Sequence, residues 1–183
     1  MDVLGDLKAG VKGVSMRGRV PVVIALVAGL ALGSGTLSAG EPQTKKGTDL
    51  AIVVHPTNPY SGLTFSELRQ VFVGDKQYWS PDMPVVLLIR APNTAERNAV
   101  LKTIYRMTEP QFKQFWIAKI FRAETATPPK IVYSTDSTNQ LVEAVPGAIA
   151  FMIASDVRPG LKVLRVDGRL PGETGYPLPG APK

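Results

Sequence analysis

Leu63-Thr64-Phe65-Ser66-Glu67-Leu68-Arg69-Gln70-Val71-Phe72-Val73-Gly74 is the stretch on which the reading of this chain turns. Thr64 followed three residues later by Glu67 is a capping box. The hydroxyl accepts the backbone N–H of the third helical residue, and the carboxylate reaches back to the N–H of the cap. Leu63 and Leu68 occupy the two positions of a hydrophobic staple, which fixes the angle at which the chain enters the helix. Leu68, Val71 and Phe72 share one face at helical spacing, and Gly74 can take the left-handed conformation that ends a helix. The spacing predicts a short amphipathic helix laid on an apolar surface.

The flanking segments supply that surface. Leu50 to His55 is a β-branched apolar run stopped by Pro56, which reads as a buried strand, and Asn58-Pro59-Tyr60-Ser61-Gly62 reads as a loop. Val85 to Ile89 is a second apolar run of strand length, ending on Arg90. Asn93 or Thr94 opens the next helix, with Val100, Leu101, Ile104 and Tyr105 inward. Thr108-Glu109-Pro110-Gln111 opens another through a second capping box with proline in its first turn. Phe112, Phe115, Trp116 and Ile120 form that helix's apolar stripe, a core feature by the burial habit of such residues. Beyond Thr127-Pro128-Pro129, Ile131 to Tyr133 reads as a short strand and Ser134 to Thr138 as a hydroxyl-rich loop. A short helix with Leu141, Val142 and Val145 ends at Pro146-Gly147. Ala148 to Ile153 and Leu161 to Val166 read as two more strands. Strands alternating with helices predict an α/β fold: a single wound mixed sheet with helices on both faces.

The first 40 residues have a different character. Lys8, Lys12, Arg17 and Arg19 lead into an apolar run from Val20 to Gly33, and small residues follow it: Ser34, Gly35, Ser38, Ala39 and Gly40. That order is a secretory signal, predicted to be cut after Ala39 or Gly40, with Met16 an alternative start. The run falls short of the roughly 20 apolar residues a spanning helix needs. If it is not cut, residues 20–37 anchor the chain in a membrane. The expected organisation is a signal at 1–40, a linker at 41–49, an α/β domain at 50–170 and a Pro/Gly-rich tail with little order at 171–183. The product is expected in the periplasm or outside the cell.

Charge and composition narrow the function. The 183-residue chain carries +6, of which residues 1–40 hold four Lys/Arg against two Asp/Glu, so the remainder is close to +4. No Lys/Arg cluster marks a nucleic-acid surface. There is no cysteine and one histidine, so thiol and metal chemistry have few candidates, and no cofactor is expected. His55 is either a general base or a strand-terminal histidine. The latter is favoured because no partner constellation accompanies it. No Walker loop, nucleophile elbow or dinucleotide fingerprint is present, and the chain does not read as an enzyme. The turn Arg90-Ala91-Pro92-Asn93-Thr94-Ala95 brings a guanidinium, a hydroxyl and free helix-start N–H groups together, as anion sites of α/β proteins do. Arg90, Asn93, Thr94 and Ala95 are therefore the candidate ligand-binding residues, for phosphate or a similar oxyanion.

The helix quoted above, continued by Asp75-Lys76-Gln77-Tyr78-Trp79, resembles the helix-Phe-x-Gly-(x)-Trp signature of phosphate-type periplasmic binding proteins of ABC importers. The likeness runs on through the strand ending at Arg90, Pro146-Gly147-Ala148-Ile149-Ala150-Phe151 and Val166-Asp167-Gly168, covering about residues 50 to 178. It implies one lobe of a type II binding protein, the second, without the first lobe that completes the ligand shell. It implies an importer permease or another envelope protein as partner. In that family a Ser-Gly-Thr run after the arginine grips phosphate; Thr94-Ala95-Glu96 stands at the matching place, putting a carboxylate where a hydroxyl is expected. The alternative is an interaction or scaffold module of the envelope that keeps the fold and has lost the ligand.

Overall fold

β1 (Leu50–Val54) is buried along its whole length and forms the spine of a five-stranded sheet. The computed structural model describes residues 48–125 and 127–180, so the signal at 1–40 and most of the 41–49 linker lie outside the described residues. A pair of residues, Gly62–Leu63 (β2), leads into α1 (Phe65–Phe72). Both halves of the expected capping box are made, with Thr64 N–H donating to Glu67 Oε2 at 2.8 Å and Glu67 N–H to Thr64 Oγ1 at 3.2 Å. Gly74 follows at φ 75°, and a Cβ there would lie 2.9 Å from the Trp116 ring. A small hairpin, β3 (Tyr78–Ser80) and β4 (Met83–Pro84), precedes β5 (Val86–Arg90). Then come α2 (Ala95–Val100), continued as a π-helical turn over Leu101–Tyr105, and α3 (Glu109–Phe121). β6 (Lys130–Val132), α4 (Thr135–Ala144), β7 (Ala148–Ile153), β8 (Lys162–Val163) and β9 (Arg165–Val166) complete the order.

The sheet runs β6-β5-β7-β1-β8. β5 is parallel to β6 and β7, whereas β1 is antiparallel to β7 and β8. It is the expected wound mixed sheet, because β5 reaches β6 and β6 reaches β7 only by helical crossovers. Side chains alternate across it. Leu50, Ile52 and Val54 join Leu68, Phe72, Ile104, Tyr105 and Phe151 in the larger core, and Ala51 and Val53 join Leu88, Val132, Val142 and Ala150 in the smaller one. α1, α2 and α3 cover the first face and α4 the second.

Several expectations need correction. Ser134 to Thr138 is not a loop: Ser134 caps α4, its Oγ accepting the Ser137 N–H at 3.0 Å, and the hydroxyl residues form the first turn. Leu161 to Val166 is not one strand, since β8 pairs with β1 while β9 pairs in parallel with β2. The α3 stripe is displaced. Phe112, Trp116 and Lys119 are buried, while Ile117, Ile120 and Phe121 are exposed. The expected disorder of the tail fails over residues 171–180. Leu178 O accepts the Leu50 N–H at 3.0 Å, Tyr176 Oη donates to Leu50 O at 2.8 Å, and both side chains are buried. Prolines and glycines there shape turns that let two apolar side chains close the end of the core. At the other end of the domain, Asp49 is already in the fold, accepting the Gly172 N–H at 2.8 Å.

Candidate functional site

β5 sits where the chain changes direction across the sheet. From its carboxyl end the chain leaves for α2 and α3 on one face, and from the carboxyl end of its neighbour β6 it leaves for α4 on the other. Beyond the strand ends at such a switch point is where α/β folds hold their ligands. Arg90 is the last residue of β5, in register with Val132 of β6, and Ala91 N–H donates to Val132 O at 2.9 Å. Two helix N-termini, those of α2 and α4, therefore begin at neighbouring strand ends.

The Arg90 side chain is nearly buried, and its Nε and Nη1 have no hydrogen-bond partner. Its closest opposite charge is Glu96, whose Oε1 lies 3.9 Å from Nε, an ion pair without a hydrogen bond. A guanidinium that is neither solvated nor fully paired is costly, so a better acceptor placed beside it is favoured. Asn93 is exposed and takes φ 66°, the left-handed turn that brings the chain round into α2. Thr94 Oγ1 donates to Ala91 O at 3.0 Å and accepts the Arg97 N–H at 3.3 Å. Its one proton is thus spent inside the turn. The N–H groups of Ala95 and Glu96, in the first turn, have no partner within the helix. Of the four expected residues, the structure gathers all into one turn. Arg90 supplies charge, Ala95 a backbone N–H, Thr94 the cap and Asn93 the bend.

Sequence reasoning missed the residue that holds the turn rigid. Arg97 is buried, its Nη1 donating to Arg90 O at 2.8 Å. Its Nε and Nη2 donate to both carboxylate oxygens of Glu109 at 2.8 and 2.7 Å, and its guanidinium lies 4.9 Å from the Phe112 ring centroid. This fork ties the end of β5 to the starts of α2 and α3. The only sequence signal was an arginine on the helix face that carries Val100 and Leu101. His55 is occupied locally: its Nδ1 accepts the Thr57 N–H at 3.1 Å, as the strand-terminal reading has it. Ser134 and Ser137 bond each other at 2.8 Å, so the hydroxyls at the start of α4 serve its cap. Among the described residues, no group of three His, Cys, Asp or Glu is placed to hold a metal ion, and no helix is long and apolar enough to cross a membrane.

Comparison with solved structures places this architecture. An ABC-type phosphate transport receptor from Vibrio cholerae matches at a TM-score of 0.55 and 20% identity, over 68% of this chain and 48% of its own. A phosphate ABC transporter substrate-binding protein from Clostridium perfringens, solved with bound phosphate, matches at 0.55 and 19%, over 68% and 47%. PstS from Borrelia burgdorferi matches at 0.58 and 14%, over 74% and 55%. The fold is theirs. The chain spans about half the length of each of these proteins. No family model matches the sequence, and the comparison with curated proteins gives no relative. At this identity the likeness speaks for the fold, and what the fold holds must be argued from its own residues.

Proposed function

We propose that this chain is an exported solute-binding module of the phosphate-transport type, holding a small oxyanion such as phosphate at the Arg90–Ala95 turn. The observation that carries the reading is the buried Arg90 guanidinium, with Nε and Nη1 lacking a hydrogen-bond partner, at the switch point of the sheet. Arg90 is the electrostatic anchor. The N–H groups of Ala95 and its neighbours at the start of α2 donate to the anion's oxygens, and Asn93 shapes the approach. Thr94 contributes through the cap and backbone, since its hydroxyl proton is committed to Ala91 O. Glu96 competes with the ligand for Arg90, so binding is weak, in the millimolar range or about −4 kcal/mol. Delivery to an ABC importer permease, or to another envelope partner, belongs to the same proposal.

Amide NMR titration with phosphate tests it. Resonances of residues 90–97 should move in the wild type, Arg90→Gln should lose most of the effect, and Glu96→Thr should tighten binding by removing a repulsion. High salt should weaken all of these interactions by screening the charges. Silence near residues 90–97 in both the wild type and Glu96→Thr would dismiss the pocket. A second reading, an envelope scaffold that has lost its ligand, draws on Glu96 itself, 3.9 Å from Arg90 and able to stand in for the anion. Under it, Glu96→Thr would bind phosphate no better than the wild type.

A further inference from the structure

Large apolar side chains gather away from the Arg90 turn, at the sheet edge formed by β6. Ile117 is 47% exposed, Ile120 44%, Phe121 88%, Ile131 47% and Tyr133 78%. Ile117, Ile120 and Phe121 come from the last two turns of α3; Ile131 lies on β6 and Tyr133 just beyond it. Between helix and strand runs a groove of about 300 Å³ whose walls include Ile89, Phe112, Ile117, Ile120, Pro129 and Ile131. The strand below it is open. Val132 O accepts the Ala91 N–H, so Val132 faces β5, and the N–H and C=O of Ile131, one residue earlier, face outward. Among the described residues, no further strand follows β6 in the sheet.

These features fit one another geometrically. Ile131 lies in register with Ile89, on the α3 face of the sheet. A sixth strand paired to β6 would therefore send alternate side chains into the groove beneath Ile117 and Ile120. The rim selects the charge of the occupant. Lys113 lines the groove and Lys130, the residue before Ile131 on β6, lines the cavity that adjoins it; both are exposed, and neither has a salt bridge among the described residues. Glu109, the carboxylate in the groove wall, is spent on Arg97. A second copy is disfavoured, because pairing β6 with β6 would bring Lys113 and Lys130 of two cationic chains together.

We propose that the β6 edge receives an extended segment of a partner protein with alternating apolar side chains and acidic flanks. It pairs with β6 through the outward backbone groups of Ile131 and lays its apolar side chains under α3. Lys113 and Lys130 meet the acidic flanks and exclude basic strands. This rests on no ligand at Arg90 and stands whether or not phosphate binds.

The test uses the full chain and a short peptide of alternating valine and threonine flanked by glutamates, with a lysine-flanked twin as control. The acidic peptide should shift the amides of residues 113–121 and 130–133 and slow exchange of the Ile131 N–H. It should bind about ten-fold tighter than the basic twin, and Lys130→Glu, at an exposed position, should erase that preference. Ile117→Asp should abolish binding while leaving the amides of β1 and β7 unmoved. Equal affinity for the two peptides, or shifts elsewhere, would overturn the proposal. So would concentration-dependent self-association lost on Ile131→Asp, which makes a second copy the occupant. Binding to phosphatidylglycerol vesicles lost on Phe121→Ser would equally overturn it in favour of a lipid surface.

Discussion

A Cβ on Gly147 would lie 2.0 Å from the Pro84 carbonyl oxygen, and the carbonyl of Gly147 itself accepts the Trp79 indole N–H at 2.9 Å. The backbone of the β7 entrance is thus pressed against the β3–β4 hairpin, with Trp79 locking the two. Trp79 packs at a tilt on Tyr60, with ring centroids 5.4 Å apart, and Lys76 Nζ lies 4.1 Å from the Tyr60 centroid. Phe72 plays the corresponding part in the main core, fully buried between Tyr105 and Phe151. Phe72→Ala should cost about 3 to 5 kcal/mol by cavity formation, and Gly147→Ala about 1 to 3 kcal/mol or more by overpacking against backbone. Urea unfolding monitored by Trp fluorescence measures both. A Gly147→Ala midpoint equal to that of the wild type would mean that the hairpin yields freely. Both residues belong to the aromatic and glycine signature that the sequence displays, and the structure gives each a packing role.

At the scale of elements, the parts legible in the sequence were those whose own residues close their hydrogen bonds. Both capping boxes are made, at Thr64 with Glu67 and at Thr108 with Gln111. The Glu67 carboxyl is held below the usual carboxylate range by the Thr64 backbone N–H first and the Thr64 hydroxyl second. A depressed native pKa means that the contribution is present above the unfolded value, near 4.5, and is lost as pH falls through the native one. The stability gap between wild type and Glu67→Gln should therefore be present at neutral pH and shrink on acidification below pH about 4. A gap constant with pH would assign the effect to packing. Elements defined by distant partners were harder to read. Leu161 to Val166 has the composition of one strand, yet its halves pair with β1 and β2, a choice made by tertiary register. Ser134 to Thr138 looks like a turn because Ser and Thr serve caps and loops alike. The apolar residues of α3 point outward at its last turns because the sheet ends beneath them, a fact no periodicity contains. At the candidate site, Arg90 and the helix start were visible as a strand-to-helix turn. The fork from Arg97 to Glu109 joins residues twelve apart in sequence through geometry alone.

At the largest scale, the described domain is closed where residues 171–180 meet its first strand. Residues 171–180 return to the start of β1, where Tyr176 and Leu178 cap the larger core and Leu50 is bonded through both its N–H and its C=O. Burial pushes the Tyr176 phenol well above its ordinary value, with Asp49 adding to the rise. Burial does the same to Tyr105, against smaller lowering effects of Arg97 and Trp116, and Tyr105 Oη donates to Phe72 O at 2.7 Å. Both phenols are therefore neutral in the native state and ionise readily only when exposed. For an acid whose native pKa is raised, stability is complete below the unfolded value, near 10, and falls as pH rises beyond it toward the native one. Thermal unfolding followed from pH about 8 to 11 should show this as a steep alkaline decline in Tm. Tyr176→Phe removes one of the two ionisations, so it should lower Tm near neutrality, by leaving Leu50 O unpaired, while making the alkaline decline shallower. If the slope is unchanged by that substitution, the tail detaches before the core opens. Unfolding would then proceed from the Pro/Gly-rich end inward, with Tyr105 alone setting the alkaline limit of the sheet and its helices.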